Sequence, residues 1–204
     1  MKRTLLSIAI VLLATSAVFA ETATWNIDPA HSTIGFSVRH MMVSNVRGTF
    51  DKFSGTITGD PADPKNAKVD VTIAADSINT RNGSRDEHLK SADFFDTAKF
   101  PTITFVSKRV EAGGNGKLRV TGDFTMHGVT KEVVLDVEGP TAPVEVGPSI
   151  RSGASATTKV SRKEFGLAWN RAMEAGGVTV GDDVTITIDL ELVKQKAEET
   201  KPTS

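Results

Sequence analysis

Apolar and polar residues alternate along most of the chain, and the clearest example lies near its C-terminal end. Apolar residues occupy every second position from Val184 to Leu192, with Thr, Asp and Glu between them. A period of two predicts a β-strand with one apolar face and one wet face. The same alternation is found in segments 34–40, 69–73, 103–105, 118–126 and 133–137.

Turn residues separate these strand patterns at short intervals. Segments 113–116 and 127–128 contain glycine and join neighbouring strands at distances typical of hairpins. Segments 60–64 and 139–148 are predicted loops. About eight strands at fairly regular spacing predict an all-β domain, either a sandwich or a closed barrel.

The segment from Arg85 to Pro101 departs from this pattern. It is first highly charged and then places three phenylalanines within seven residues, Phe94, Phe95 and Phe100. Ser84 and Glu87 fit a capping box, which predicts a short helix from Arg85 to Lys90. We expect this helix to lie across one end of the sheet structure, with a second helical turn near residues 77–80.

The N-terminal segment has the form of a secretory signal peptide. Lys2 and Arg3 precede an apolar stretch, and small residues lead up to Ala20. This pattern predicts cleavage after Ala20 and export of the mature chain. The predicted organisation is therefore a signal peptide at 1–20, one domain at 21–193 and a charged, fraying tail at 194–204.

Composition narrows the chemistry that this domain can carry. The chain has no cysteine, which excludes disulfides, thiol catalysis and thiolate metal sites. Without the leader, 22 basic residues stand against 25 acidic ones, so the overall charge gives no reason to bind nucleic acid or an anionic membrane. Ten Phe, two Trp and no Tyr permit a dry interior, and composition alone favours a packed core over a cavity.

No common catalytic motif is present, and the four histidines give weak signals. His40 with Met41 and Met42 supplies nitrogen and sulfur donors of the kind that suit copper(I), as does Met126 with His127. An extended segment would place Met41 and Met42 on opposite faces, so we predict no metal site. On the predicted helix, Arg85 and His88 share a face; they either tie the helix to the sheet or meet an anionic head group.

Four segments resemble the YceI family of periplasmic, lipocalin-like, polyisoprenoid-binding proteins. They are DPAHSTIGFSVRH at 28–40, RDEHLKSADFFD at 85–96, GDFTMHGVT at 122–130 and SRKEFGLAW at 161–169. The resemblance implies an extended eight-stranded antiparallel barrel with one or two short helices covering an end. It also implies an apolar tunnel for a long prenyl chain, no catalytic residues and no cofactor.

From this resemblance, we expect the apolar strand faces to line the tunnel, with Arg85 and His88 at a head group or at the barrel end. The expected ligand-binding residues are Phe36, Val38, His40, Phe94, Phe95, Ile103, Phe105, Val120, Phe124, Val133, Leu135, Trp169, Ile186 and Ile188. The leading hypothesis is a non-enzymatic carrier of a polyisoprenoid or similar lipid. Alternatives are an enzyme that modifies the lipid head group through His40 or His88, and a structural module with a filled core. Membrane contact is expected to be transient at most, and a homodimer is left open.

Overall fold

Twelve strand segments and one α-helix make up the regular structure of the described chain. A computed structural model of the protein describes residues 22–61, 63–172 and 177–195. The predicted signal peptide and residues 196–204 of the predicted tail lie outside this range. Lys194, where the tail was expected to begin, is the last residue of a strand. The strands are β1 (Ala23–Ile27), β2 (Thr33–His40), β3 (Ser44–Phe50), β4 (Phe53–Asp60), β5 (Asp63–Ala74), β6 (Ile78–Asn79), β7 (Thr102–Gly114), β8 (Lys117–Met126), β9 (Val129–Glu138), β10 (Val144–Val146), β11 (Ser149–Ser161) and β12 (Val180–Lys194).

These segments form a closed antiparallel barrel of eight long strands, as the resemblance implied. Three of the long strands are interrupted, so that β1 continues into β2, β3 into β4 and β5 into β6. The barrel closes at β12, which pairs with β11 along one edge and with β1 and β2 along the other. The short β10 pairs with the first residues of β11, on the edge of β11 that does not face β12.

The two ends of the barrel differ in what covers them. One, which we call the helix end, carries α1 (Gly83–Lys90) and the β2–β3 and β8–β9 turns. The other, the hairpin end, carries the β4–β5 turn at Pro61 and the β7–β8 turn at residues 115–116. Short 3-10 turns lie at Pro29–His31, Ala75–Ser77 and Arg162–Phe165.

The helix is present where predicted, but its first turn was wrongly assigned. It begins at Gly83, and the side chain of Asn82 caps it by accepting a hydrogen bond of 3.0 Å from the Arg85 N–H. The predicted capping box of Ser84 and Glu87 therefore does not set the start, because an Asn in extended conformation already occupies the cap position. The second helical turn lies at Ala75–Ser77, slightly before the predicted position, and the following residues return to a strand.

In the described part of the chain, three two-residue hairpin turns have positive φ at both central positions. Asn115-Gly116 and His127-Gly128 lie in the predicted hairpins, and glycine accepts this conformation readily. The third turn is Met41-Met42, with φ values of 50° and 57°, closed by a hydrogen bond of 3.0 Å from the Val43 N–H to the His40 carbonyl. The prediction of an extended segment at these methionines was wrong.

Candidate functional site

An apolar cavity with a volume of about 240 Å³ occupies the inside of the barrel. Its wall extends from Pro61 and Pro140 at the hairpin end to Leu89 and Phe95 at the helix end. Every long strand contributes its inward-facing positions to this wall. A closed sheet turns one face of each alternating strand toward a common interior, so the period of two in the sequence directly produces the apolar lining.

Twelve of the fourteen expected ligand-binding residues are part of the cavity wall. They are Phe36, Val38, Phe94, Phe95, Ile103, Phe105, Val120, Phe124, Val133, Leu135, Ile186 and Ile188. His40 and Trp169 do not line the cavity. His40 is the last residue of β2, at the barrel rim, and Trp169 lies in the connection between β11 and β12. A role of the twelve in ligand binding stays a prediction.

Sequence reasoning left wall residues of several strands unassigned, among them Phe50 on β3 and Ile57 on β4, and two further cases show the reason. The first is the inner face of β5, where Ala67, Val69, Val71 and Ile73 line the cavity; this alternation was recognised as a strand but not assigned to the lining. The second is β11, which contributes small side chains such as Ala154 and Ala156. Small residues carry little hydrophobic signal, so β11 could not be recognised as a wall strand from its composition.

The few polar side chains in the wall mostly bond to the protein itself. Ser152 donates a hydrogen bond of 2.8 Å to the Thr141 carbonyl, and Thr158 donates one of 2.8 Å to the Val134 carbonyl. Arg162 bonds to backbone carbonyls, and Asp60 lies at the hairpin end. Because the donors of Ser152, Thr158 and Arg162 are already satisfied, the cavity wall offers little to a polar ligand.

Arg162 is the most deeply buried charged side chain among the described residues, with 3% of its surface exposed. Its Nε donates to the Gly181 carbonyl at 2.9 Å, and its Nη1 donates to the carbonyls of Leu167 and, at 2.9 Å, Trp169. Nη2 makes longer contacts of 3.4 Å with the Val180 carbonyl and 3.5 Å with Asp182. One guanidinium thus joins both ends of the β11–β12 connection. Burial lowers the pKa of Arg162, with Asp182 acting in the opposite direction.

Three aromatic rings link α1 to the connection between β11 and β12. The ring of His88 lies edge-on to both Phe94 and Trp169, with centroid distances of 5.1 Å, and Phe94 and Trp169 are also 5.1 Å apart. His88 Nε2 lies 2.9 Å from a carboxylate oxygen of Asp93. His88 does not line the cavity, so its ring serves packing at the outside of the helix end.

Arg85 and Asp86 both bond to the buried Thr80, which follows β6. Arg85 donates to the Thr80 hydroxyl at 2.7 Å and to its carbonyl at 2.8 Å. Asp86 accepts from the Thr80 N–H at 2.9 Å and from its hydroxyl. Arg85 does not line the cavity, and its donors are directed to the barrel end. The geometry therefore gives Arg85 a structural contact, one of the two roles considered for it from the sequence.

A cluster of potential metal ligands lies on the outer surface. One ligand atom each from Asp28, His31 and Glu191 lies within 4.8 Å of the others. Arg151 Nη1 already bonds to both carboxylates, at 3.0 Å in the case of Asp28. The guanidinium supplies the positive charge that a cation would bring, so this cluster is an ion-pair network and carries no metal assignment.

The closed barrel and its apolar cavity define a binding protein of the lipocalin-like type. Comparison with known proteins then places the chain: the model of the YceI-like domain family matches residues 25–192. The chain belongs to this family, as the sequence resemblance suggested. Among the described residues, none of the helices has the length and hydrophobicity that a membrane crossing requires.

Individual relatives support the same assignment. A UPF0312 protein of Staphylococcus aureus (strain USA300) is 41% identical over 162 residues, which cover 78% of this chain and 91% of the relative. The crystal structure of a Campylobacter jejuni YceI protein is 34% identical, covers 78% of this chain and 90% of its own, and superposes with a TM-score of 0.66. A polyisoprenoid-binding domain from Saccharophagus degradans shares the fold with a TM-score of 0.61 at 17% identity, covering 86% of this chain and 100% of that domain.

Proposed function

We propose that this protein binds a polyisoprenoid, or another lipid with a long apolar chain, inside the barrel cavity. The observation that carries the proposal is the continuous apolar wall from Pro61 to Phe95. A compact polar ligand would lose its hydration in this cavity without gaining hydrogen bonds, whereas a hydrocarbon chain gains from burial along its whole length. The fold shared with a domain named as polyisoprenoid-binding supports this choice.

The length of the barrel favours a long chain over a short one. The 15 residues of β12 span about 50 Å at ~3.3 Å per residue, and the strand tilt shortens this along the barrel axis. Each buried CH₂ contributes about 0.8 kcal/mol at most, so an isoprene unit contributes roughly 2–4 kcal/mol before ordering losses. Affinity is expected to rise over the first several units and to level off when the cavity is full.

The role that follows is a non-enzymatic carrier or store for such a lipid in the periplasm. Neither His40 nor His88, the histidines considered for a head-group enzyme, lines the cavity, so no observation favours that alternative. The cavity volume also exceeds the few water-sized voids of a filled core.

Export rests on the signal-peptide pattern. The N-terminal sequence of the mature protein should therefore begin at Glu21, and a sequence that begins at Met1 would contradict export with cleavage.

Solvent extraction of the purified protein, followed by mass spectrometry, tests the proposal directly. We expect a long-chain lipid near one molecule per protein. Binding of prenyl alcohols of increasing length should then show the rise and the plateau. Extraction of no lipid, together with binding that does not depend on chain length, would contradict the proposal.

Variants locate the ligand within the cavity. Phe105→Asp places an unpaired carboxylate on the wall and should abolish binding of long chains. The matched control is Thr187→Asp, because Thr187 is exposed on the outer face of β12. Ala156→Phe keeps the wall apolar but narrows it, and serves if the Phe105 variant does not fold. Normal long-chain binding by a folded Phe105 variant would refute the assignment.

A further inference from the structure

The turn between β2 and β3 places three large apolar side chains in solvent at the helix end. Met41 is 46% exposed, Met42 58% and Val43 79%. We call residues 41–43 the apolar tip. They follow one another in the chain, whereas single exposed apolar residues scattered over a surface are common and need no explanation.

The backbone of the apolar tip is strained, although the fold does not require this. Both methionines have positive φ, a backbone conformation that residues other than Gly, Asn and Asp rarely adopt. The equivalent turns elsewhere in the barrel place Gly116 and Gly128 at the second central position. A sequence such as Asn-Gly would close the same hairpin without strain. Strain that persists at an exposed position points to a function of the side chains.

Three hydrogen bonds hold the tip in place. Besides the bond that closes the turn, the Met41 N–H donates to the Thr179 carbonyl at 2.8 Å, and Arg39 donates to the Met42 carbonyl at 2.9 Å. The tip is therefore ordered before any partner binds, and a partner does not have to supply the free energy of ordering it.

The charges beside the tip are positive. Arg39 and Arg47 are both exposed on the outer faces of β2 and β3, and neither has a carboxylate partner in the described part of the chain. The nearest acidic residues on β12 are already engaged: Asp182 pairs with Lys163 and Arg162, and Asp183 pairs with Lys159. An apolar tip between two arginines that lack carboxylate partners is thus a local feature in a chain whose overall charge is negative.

We propose that the apolar tip docks this protein on a bilayer surface that contains anionic phospholipid. The side chains of Met41, Met42 and Val43 enter the boundary between head groups and acyl chains, and Arg39 and Arg47 meet the phosphates. The cavity wall reaches the same region, because Val38 and Val180 line the cavity near the base of the turn. Docking therefore brings the helix end of the cavity next to the membrane.

The test is sedimentation of the mature protein with vesicles of phosphatidylcholine, alone or mixed with phosphatidylglycerol. Wild-type protein should bind the mixed vesicles more strongly than the neutral ones. The double substitution Met41→Asn and Met42→Gly should lower partitioning by roughly tenfold or more. It should leave the melting temperature unchanged or raise it, because it relieves the strain. Arg47→Gln should weaken binding to the mixed vesicles by about fivefold and leave the neutral vesicles unaffected.

The matched control removes exposed apolar residues elsewhere, through Val144→Ser and Val146→Ser on β10, which are 55% and 53% exposed. This variant should bind vesicles like the wild type. The proposal is overturned if wild-type protein binds neither the mixed nor the neutral vesicles. It is also overturned if the tip variant binds vesicles as strongly as the wild type does, or if the control variant loses as much vesicle binding as the tip variant. A dimer that the tip variant abolishes in solution would overturn it in favour of a second copy of the chain. Prenyl-alcohol binding should be equal in all variants, so a failure of docking leaves the cavity proposal standing.

Discussion

Arg162 and Arg151 lie eleven positions apart on β11 and its continuation, yet their surroundings are opposite. Arg162 is 3% exposed, and most of its partners are neutral backbone carbonyls at the helix end. Arg151 lies on the outer surface with 27% of its side chain exposed, and its partners are the carboxylates of Asp28 and Glu191. The first arginine acts through the number and direction of its donors, and the second acts through its charge.

The pKa shifts reflect this difference. Burial lowers the pKa of Arg162, because its surroundings offer dipoles in place of water and only one distant carboxylate. Hydrogen bonds raise the pKa of Arg151, first the one to Glu191 and then the one to Asp28. Arg162 should therefore stabilise the fold at all ordinary pH values and salt concentrations, whereas the contribution of Arg151 should depend on both.

Arg162→Met is expected to have the largest effect. The substitution keeps the apolar stem but leaves the carbonyls of Gly181, Leu167 and Trp169 without their donor. Each buried unsatisfied carbonyl costs about 1–3 kcal/mol, so the free energy of unfolding should fall by about 3 kcal/mol or more. Urea unfolding followed by circular dichroism measures this loss.

Arg162→Lys is the control for charge. Lysine keeps the positive charge but cannot direct donors from a planar fork to several carbonyls at once. We expect it to recover less than half of the stability lost in Arg162→Met. Full recovery would show that charge, and not geometry, is what Arg162 provides.

Arg151→Met is expected to have a smaller effect that depends on salt. Removing the guanidinium leaves Asp28 and Glu191 without the cation that they share, although Asp28 keeps its contact with His31 at 3.0 Å. Because the cluster is partly exposed, 1 M NaCl, with a screening length of about 3 Å, should narrow the stability gap between wild type and variant. The gap for Arg162→Met should stay constant in the same salt series. Equal salt responses of the two variants would remove the contrast between the two arginines.

The strands could be predicted from the sequence, whereas the Arg162 anchor could not. The alternation from Val184 to Leu192 shows on which side of the sheet each residue lies. This depends only on the local strand conformation, so it also holds in the closed barrel. The acceptors of Arg162 are backbone carbonyls, which every residue type carries, so no residue pattern marks them. SRKEFGLAW was recognised only as a resemblance, without a physical role for its arginine.

The cavity residues also divide into those that the sequence could predict and those that it could not. Large apolar side chains on alternating strands could be assigned to the wall, and ten of those named do lie there, together with Phe94 and Phe95 after the helix. His40 was expected in the wall because of strand parity, and Trp169 was counted among the ligand-binding residues because of the family likeness. Parity fails where a strand ends, because the chain leaves the sheet at the Met41 turn, and it does not apply in the irregular β11–β12 connection.

Asp182→Asn tests whether the single carboxylate near Arg162 matters. Its contact with Arg162 is long, at 3.5 Å, and its shorter one, 2.8 Å, is with the exposed Lys163. The carbonyls remain in place, so the loss should be about 1 kcal/mol or less, as for exposed ion pairs. A loss as large as that of Arg162→Met would mean that charge pairing dominates at the helix end after all.

The smallest expected effect is the acid dependence of the Arg151 cluster. The hydrogen bond with His31 holds the pKa of Asp28 below its usual value of 3.8, and bonds from the Ala30 N–H and Arg151 add to this, while partial burial opposes it. A carboxyl whose pKa is lower in the folded state than in the unfolded state stabilises the fold above its unfolded pKa. That contribution is lost as the pH falls through the folded pKa.

Between pH 6 and pH 3, wild-type protein should therefore lose more stability than Asp28→Asn, measured as the urea midpoint at each pH. Removing Arg151 should reduce this difference, because one of the bonds that lower the pKa is then absent. If wild type and Asp28→Asn lose the same stability over this range, the carboxylate does not contribute through its ionisation, and Arg151 would resemble Arg162 more closely than the structure indicates.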